Sequence, residues 1–342
     1  MTQANTHKRI VVVGSTNADI ATSLPRIPGP GETLLGSEPV VSPGGKGANQ
    51  AVSAALLGGN VAFVGAVGKD DQARVATSLM REAGVNLDGL AELDAPTGAA
   101  WIMVDEQGEN SIVVLSGANA HVHADLVEAQ APTIAAAGVV VLQGEIPVDG
   151  IVRAVELARG GDAAGASAEQ AGPARPERNP RIIVNLAPVI EVPAATLLEA
   201  DPLIVNEHEA LLVLDQVRAQ RAGAHSDQPA PADAAEPEAI VAALRREGFR
   251  SVVLTLGKAG AMFGDDRGVV AVASPKVQAV DSTGAGDAFV GAFAAQLASG
   301  ADPVSAVRFA ARVGAFAVTK HGTQTSYPHE GEALPEVQEA DQ

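Results

Sequence analysis

Short runs of β-branched apolar residues alternate with Ala/Leu-rich stretches along most of this 342-residue chain, and this rhythm constrains the fold more than any other feature. Residues 8–13 read as a strand ending in Gly14, 48–57 as a helix, 61–67 as a strand, and 71–83 as a helix closed by Gly84. Residues 139–142, 181–184, 203–205 and 251–255 read as further buried strands with helical segments between them. Repeated β–α alternation predicts an α/β fold, a parallel sheet with helices on both faces. Two regions break the rhythm. Residues 21–41 are rich in Pro and Gly, while 99–104 and 111–115 flank the turn sequence DEQGEN and read as a hairpin. A small sheet projecting from the main body accounts for both.

Composition narrows the function classes. With 23 Lys+Arg against 41 Asp+Glu the formal net charge is −18, unsuited to nucleic acid or an anionic membrane as partner. The absence of cysteine excludes disulfides, thiolate metal sites and thiol catalysis. Aromatics make up only 3% of residues, so Ala, Val and Leu must fill the core, as suits a parallel sheet. The N-terminal MTQANTHKRI lacks the apolar stretch of a signal peptide. The longest apolar runs, such as 134–142, fall short of the ~20 residues that span a bilayer. A soluble, cytoplasmic protein is expected. Residues 160–180 and 219–236, dominated by Ala, Gly, Pro, Asp and Glu, read as flexible surface insertions.

Three motifs carry chemistry. Asp281-Ser282-Thr283-Gly284-Ala285-Gly286-Asp287 precedes an apolar helix. Glycines at a helix start let backbone N–H groups point outward, and with the helix dipole they make an anion site suited to phosphate. A carboxylate at that turn, Asp287, would oppose a bound phosphate unless it takes a proton from an attacking hydroxyl. Taken alone, the same residues also suit tight packing and a helix cap. There is no Walker-type P-loop. The second motif, Ser42-Pro43-Gly44-Gly45-Lys46-Gly47-Ala48-Asn49-Gln50, opens a helix and places Asn49 on its first turn. The third, Gly14-Ser15-Thr16-Asn17-Ala18-Asp19, follows the first strand, where open α/β sheets bind ligands. Asn17 and Asp19 suit vicinal hydroxyls, although Asx residues after a strand also form ordinary turns. The pair His121 and His123 lacks further residues at ligand spacing.

Together these motifs resemble the ribokinases within the PfkB-type carbohydrate kinases. GSTNADI, PGGKGANQA, TGAAWIMVDEQGENSIVV, GAN at 117–119, NEHEA, TLG, DSTGAGDAF and VTKHGTQTSYP all carry the likeness, which runs from about Arg9 to Pro328. The resemblance implies a Rossmann-like sheet with a small β-sheet lid, and a single kinase domain over 8–328. Its lid segments would lie near 20–43 and 97–117, with 1–7 and 329–342 as tails. It further implies transfer of phosphate from ATP to D-ribose at O5, Mg²⁺ and K⁺ as cofactors, and a homodimer through the lids.

By position, Asp287 resembles the family's general base, with Gly284, Ala285 and Gly286 supplying N–H groups to the transferring phosphoryl. Sugar contacts would come from Asn17, Asp19, Gly45, Lys46, Asn49, Glu145 and Asp287. The nucleotide would lie near Asn185, Thr255, Gly257, Gly260 and Gly286. Asn206 and Glu209 would act on Mg²⁺ through water, although NEHE also reads as a capping box. K⁺ would be held by Asp281, Thr283, Ala317, Lys320, Gly322 and Ser326, mostly through backbone carbonyls. Leu186 departs from the pattern, standing where many relatives carry Pro.

Two rival readings remain at this level. A related kinase for another sugar or nucleoside would share the GAGD turn. Against a sugar phosphate, the lid offers only Arg26 and Lys46; against a nucleoside, its only aromatic is Trp101. A non-catalytic sugar sensor would have little use for Asp287.

Overall fold

The computed structural model describes residues 8–107, 109–160, 180–221 and 236–337. Most of the two expected insertions, at 161–179 and 222–235, lies outside these residues, as do 1–7 and 338–342.

The first strand, β1 (Ile10–Val13), sits in the middle of a nine-stranded sheet. On one side lie β4 (Val61–Gly68) and β5 (Asn86–Leu93). On the other come β8 (Val139–Gln143), β9 (Arg181–Asn185), β10 (Leu203–Asn206) and β11 (Val252–Thr255). All of these pair in parallel, and β12 (Ala261–Asp265) and β13 (Gly268–Val272) close the edge antiparallel.

The apolar runs are continuous because both faces of the sheet are covered, and alternate residues serve opposite cores. Ile10, Val12, Val139, Val141, Ile183 and Val253 face one core, shared with α1 (Lys46–Leu56), α10 (Ala285–Ser299) and α11 (Pro303–Ala317). Val11, Val13, Val140, Leu142, Val184 and Leu254 face the other. That core is shared with α4 (Ala124–Glu128), α5 (Ala131–Ala135), α6 (Val148–Ala158), α7 (Ala194–Leu197), α8 (Glu207–Arg221) and α9 (Pro237–Arg246). The expected α/β architecture is therefore the observed one.

The expected helix over 71–83 is two pieces, α2 (Asp71–Ala76) and α3 (Ser78–Glu82). Between them, Thr77 turns its hydroxyl onto the Ala73 carbonyl at 2.8 Å, and Thr16 from across the fold donates to the Ala76 carbonyl at 3.1 Å. Tertiary hydrogen bonding thus ends a helix that local periodicity would continue.

The irregular regions form a second sheet of four strands, β3 (Val40–Gly44), β2 (Asn17–Leu24), β6 (Gly98–Asp105) and β7 (Asn110–Leu115), in that order. The β6–β7 pair is the expected antiparallel hairpin, and β2 runs parallel to β6. At the other end of the chain, Glu330 N–H reaches Leu56 O at 2.8 Å and Arg312 Nε reaches Pro335 O at 2.9 Å, so 329–337 pack onto the body.

Candidate active site

The chain proceeds from β1 to β4 on one side and later to β8 on the other. The carboxyl end of β1 is therefore the switch point where an open α/β sheet offers a crevice. A cavity of about 780 Å³ lies there. Its floor comes from residues following several parallel strands, among them Glu145 after β8, Ala187 after β9 and Glu209 after β10. Its roof is the small sheet, through Ala100, Ile102, Ile112 and Val114.

Of the residues nominated for sugar, Asn17, Asp19, Gly45, Lys46, Asn49, Glu145 and Asp287 all line this one cavity. Gly45 caps α1 at φ 86°, and a Cβ there would meet the Thr16 Cα at 2.8 Å, so only glycine lets the α1 start approach the β1 end. Glu145 Oε2 accepts from the Ser15 hydroxyl at 2.5 Å and from Lys46 N–H at 3.0 Å, tying the two loops together. Asn119 accepts from Thr16 N–H at 3.0 Å and donates to Asn17 Oδ1 at 2.8 Å, which sets the Asn17 amide.

Charge in the cavity is unevenly satisfied. Asp287 is 6% exposed, and both its oxygens accept amide N–H groups, Oδ2 from Asn49 at 2.8 Å and Oδ1 from Gln50 at 2.9 Å. Asp19 has a buried Oδ1 with no hydrogen-bond partner among the described residues. Burial, with Glu145 and Asp287 adding repulsion, pushes its carboxyl up to about 7. Opposite them the Asp287 carboxylate, with Glu145 and Glu209 further contributing, holds the Lys46 ammonium above its ordinary range, although burial works the other way.

A second cavity, of about 650 Å³, holds Thr255 at the end of β11 and Gly257 and Gly260 beyond it, together with Ser282, Ala285 and Gly286. Val277, Phe289 and Val318 give it apolar walls and Lys258 and Lys276 add positive charge. The first turn of α10 divides the two cavities: Thr283, Gly284 and Asp287 face the first, Ser282, Ala285 and Gly286 the second. Gly284 is left-handed at φ 72°, and its carbonyl accepts from the buried Tyr327 hydroxyl at 3.0 Å. Ala285 N–H turns back to Ser282 O at 3.3 Å. Around Gly286 nothing lies within 4 Å of where a Cβ would be, so no protein neighbour demands glycine there. A bare backbone beside open space suits close approach of a ligand.

Three nominated sets lie elsewhere or do double duty. Asn185 lines neither cavity; it is buried beneath them, accepting from Gln50 at 3.0 Å and donating to Ile204 O at 3.0 Å. Asn206 and Glu209 form a reciprocal capping box, Asn206 N–H to Glu209 Oε2 at 2.9 Å and Glu209 N–H to Asn206 Oδ1 at 2.8 Å, and only Glu209 reaches the first cavity. Asp281 accepts from Thr283 N–H at 2.9 Å and Gly322 N–H at 3.0 Å. These bonds bring the loop before α10 against the end of α11, at Ala317, and the segment after it that contains Lys320, Gly322 and Ser326. Despite partial burial, which raises it, they hold the Asp281 carboxyl below its ordinary range. Lys320 turns its ammonium over the Phe316 ring at 4.1 Å, so its side chain is no cation ligand. Among the described residues no three His, Cys, Asp or Glu cluster as a metal centre.

Sequence reasoning missed Gln50, Gln143 and Gln324, each almost fully buried around Asp287. Gln143 did leave a signal: it is the one polar residue in the strand VVVLQ.

A family model described as pfkB family carbohydrate kinase matches residues 7–330. A ribokinase of Schizosaccharomyces pombe is 33% identical over 328 residues, covering 93% of this chain and 94% of the relative. Among solved structures, a ribokinase of Thermotoga maritima is similar with a TM-score of 0.78 at 30% identity, covering 94% of this chain and 96% of that one. A ribokinase of Arabidopsis thaliana complexed with ribose and ATP gives a TM-score of 0.74 at 28% identity, covering 94% and 96%.

Proposed function

The chain belongs to the pfkB family of carbohydrate kinases, and on that premise we propose that it transfers the γ-phosphoryl group of ATP to the O5 hydroxyl of D-ribose. One observation carries the reading: the glycine-bearing first turn of α10 stands between a cavity with polar side chains on its floor and Asp287 at its wall and a partly apolar cavity fit for a nucleotide. Reactants placed on the two sides would meet at that turn.

Sugar in the first cavity would lay its hydroxyls against Asn17, Asp19, Lys46, Asn49 and Glu145. The primary hydroxyl would face Asp287. As that oxygen attacks the γ-phosphorus, its proton passes to Asp287, the new P–O bond forms, and the β,γ-bridging bond breaks to leave ADP. Charge on the transferring group would be met by N–H groups at Gly284 and Gly286, with Ala285 joining once its turn opens. The apolar roof of Ala100, Ile102, Ile112 and Val114 would exclude water and so limit ATP hydrolysis.

Two cations fit the donors present. Glu209, with one oxygen free of its cap and Asn206 behind it, would hold Mg²⁺ through water. The oxygens of the joined loops at Asp281, Thr283, Ala317, Lys320, Gly322 and Ser326, mostly backbone carbonyls, are hard donors suited to K⁺. Bound there, the ions would neutralise phosphate charge. The small sheet exposes Trp101 (56%) and Val113 (51%), and a second copy covering them would give a homodimer. A cytoplasmic location, where ATP is available, goes with this reading.

The test is ADP release by purified protein across a panel of pentoses and hexoses, with K⁺ or Li⁺. Expected is turnover fastest with D-ribose, stimulated by K⁺, with ³¹P–¹H coupling of the product to the C5 protons. Asp287→Asn should lower kcat by about 10²–10⁴-fold while leaving sugar binding in place. Absence of turnover with every sugar rejects the kinase reading; a wild-type rate for Asp287→Asn rejects the base.

A further inference from the structure

Asp287 stands at the end of two strings of buried amides. In one, Gln143 Nε2 donates to Gln50 Oε1 at 2.7 Å, and Gln50 Nε2 donates to Asp287 Oδ1 at 2.9 Å. In the other, Gln324 Nε2 donates to Asn49 Oδ1 at 2.8 Å, and Asn49 Nδ2 donates to Asp287 Oδ2 at 2.8 Å. The strings come from separate parts of the fold, the end of β8 and a turn at Gln324–Ser326 just beyond Gly322. Their direction is dictated by chemistry: a carboxylate only accepts, so each adjoining amide must turn its nitrogen inward and its oxygen to the donor behind.

The far ends show what this arrangement serves. Gln143 Oε1 and Gln324 Oε1 are buried without a partner among the described residues. An unpartnered acceptor at each end makes these side chains a poor choice for stability alone, since an apolar side chain would fill the same space without that cost. Gln50 is additionally held by Asn185, which is itself pinned to Ile204 O. Neither Gln50, Gln143 nor Gln324 lines the sugar cavity.

We infer that Gln50, Gln143 and Gln324 are positioning residues that fix the plane and facing of the Asp287 carboxyl for proton transfer. The inference rests on Asp287 being the base. Gln143 holds Gln50 in the amide orientation that donates to Oδ1, and Gln324 does the same through Asn49 for Oδ2. With both oxygens held from behind, the carboxyl keeps one aspect toward the cavity.

Steady-state kinetics of Gln143→Met and Gln143→Glu, with thermal melts, test it. Gln143→Met removes the outer donor without touching Asp287; expected is kcat about tenfold lower, with KM for sugar and ATP within about twofold of wild type. Gln143→Glu supplies a signature that packing would not. Deprotonated, it offers Gln50 only acceptors, so Gln50 Oε1 loses its donor and faces a carboxylate, and the Gln50 amide is no longer held from behind as it donates to Asp287. Protonated, it donates and restores the order. Its kcat relative to wild type should therefore be highest at the acid end of the assay range and fall as pH rises, with burial moving the change above the ordinary Glu range.

A wild-type kcat per folded molecule in Gln143→Met, or a flat relative pH profile in Gln143→Glu, overturns the inference, as does a KM that rises in step with any loss of kcat. Should the Gln143 variants not fold, Gln324→Met is read by the same kcat and KM criteria on the other string. Wild-type protein that turns over no sugar removes the kinase reading and this one together. Turnover by wild type with unaffected glutamine variants removes this one alone.

Discussion

Asp19 is where the cavity's charge is least balanced. Its carboxyl, ordinarily at 3.8, lies at about 7 because it is buried, faces Glu145 and Asp287, and has a partnerless oxygen. Between about pH 4 and 7 the folded protein therefore keeps a proton that the unfolded chain has released. Stability falls as pH rises through that window and levels off above it. Asp19→Asn keeps the shape, with its side chain tucked against Gly44, and removes the ionisation. At pH 8 the variant should be more stable than wild type by about 4 kcal/mol, and near pH 4 most of the gain should vanish. Urea unfolding at the two pH values reads this directly; an equal gain at both would show that ionisation is not the cause. A sugar hydroxyl reaching Asp19 would supply the missing partner, so sugar should bind the variant more weakly.

At the level of elements, the α10 turn separates two kinds of glycine. Gly284 is required by the protein itself: φ is 72°, and a Cβ would lie 2.2 Å from Thr323 Cγ2 and 2.8 Å from the Tyr327 hydroxyl. Gly284→Ala should cost about 1–3 kcal/mol in chemical denaturation. Gly286 meets no such obstacle and lies within the helix, so Gly286→Ala should be neutral or stabilising by up to about 1 kcal/mol. Activity should nevertheless fall with Gly286→Ala, because the added methyl occupies the space a phosphate would need. A variant with both stability and activity intact would argue against ligand approach at this turn. Similar crowding sets the start of α1. The expected helix began at Ala48, whereas the observed one begins at Lys46 behind a left-handed Gly45, a shift at the level where helix ends are least legible.

For the molecule as a whole, the net charge of −18 no longer conflicts with an anionic nucleotide. Backbone N–H groups at α10 and Lys258 and Lys276 in the second cavity provide positive potential locally, while Asp19, Glu145, Glu209 and Asp287 gather in the first. The proposed homodimer is read at this scale too. Sedimentation should give a species of about twice the 34.5 kDa chain, and Trp101→Arg, on the exposed face of the small sheet, should shift it toward monomer. A monomeric wild type at micromolar concentration would remove the dimer.

Much of this protein was settled by short-range chemistry alone. Continuous β-branched apolar runs marked the strands and Ala/Leu-rich stretches the helices, the DEQGEN turn marked the hairpin, and glycines before an apolar helix marked the candidate anion site at α10. Each depends on residues a few positions apart, whose φ/ψ preferences and side-chain spacing act wherever the segment lies. What the tertiary structure alone decided is proximity. Asp287 meets Gln50 and Asn49 from 237 and 238 positions away, and Gln324 meets Asn49 across 275. Asn185, nominated for nucleotide, turned inward beneath both cavities for the same reason. The partners of a buried polar group and its charge state follow from sheet order and desolvation, which no local pattern encodes.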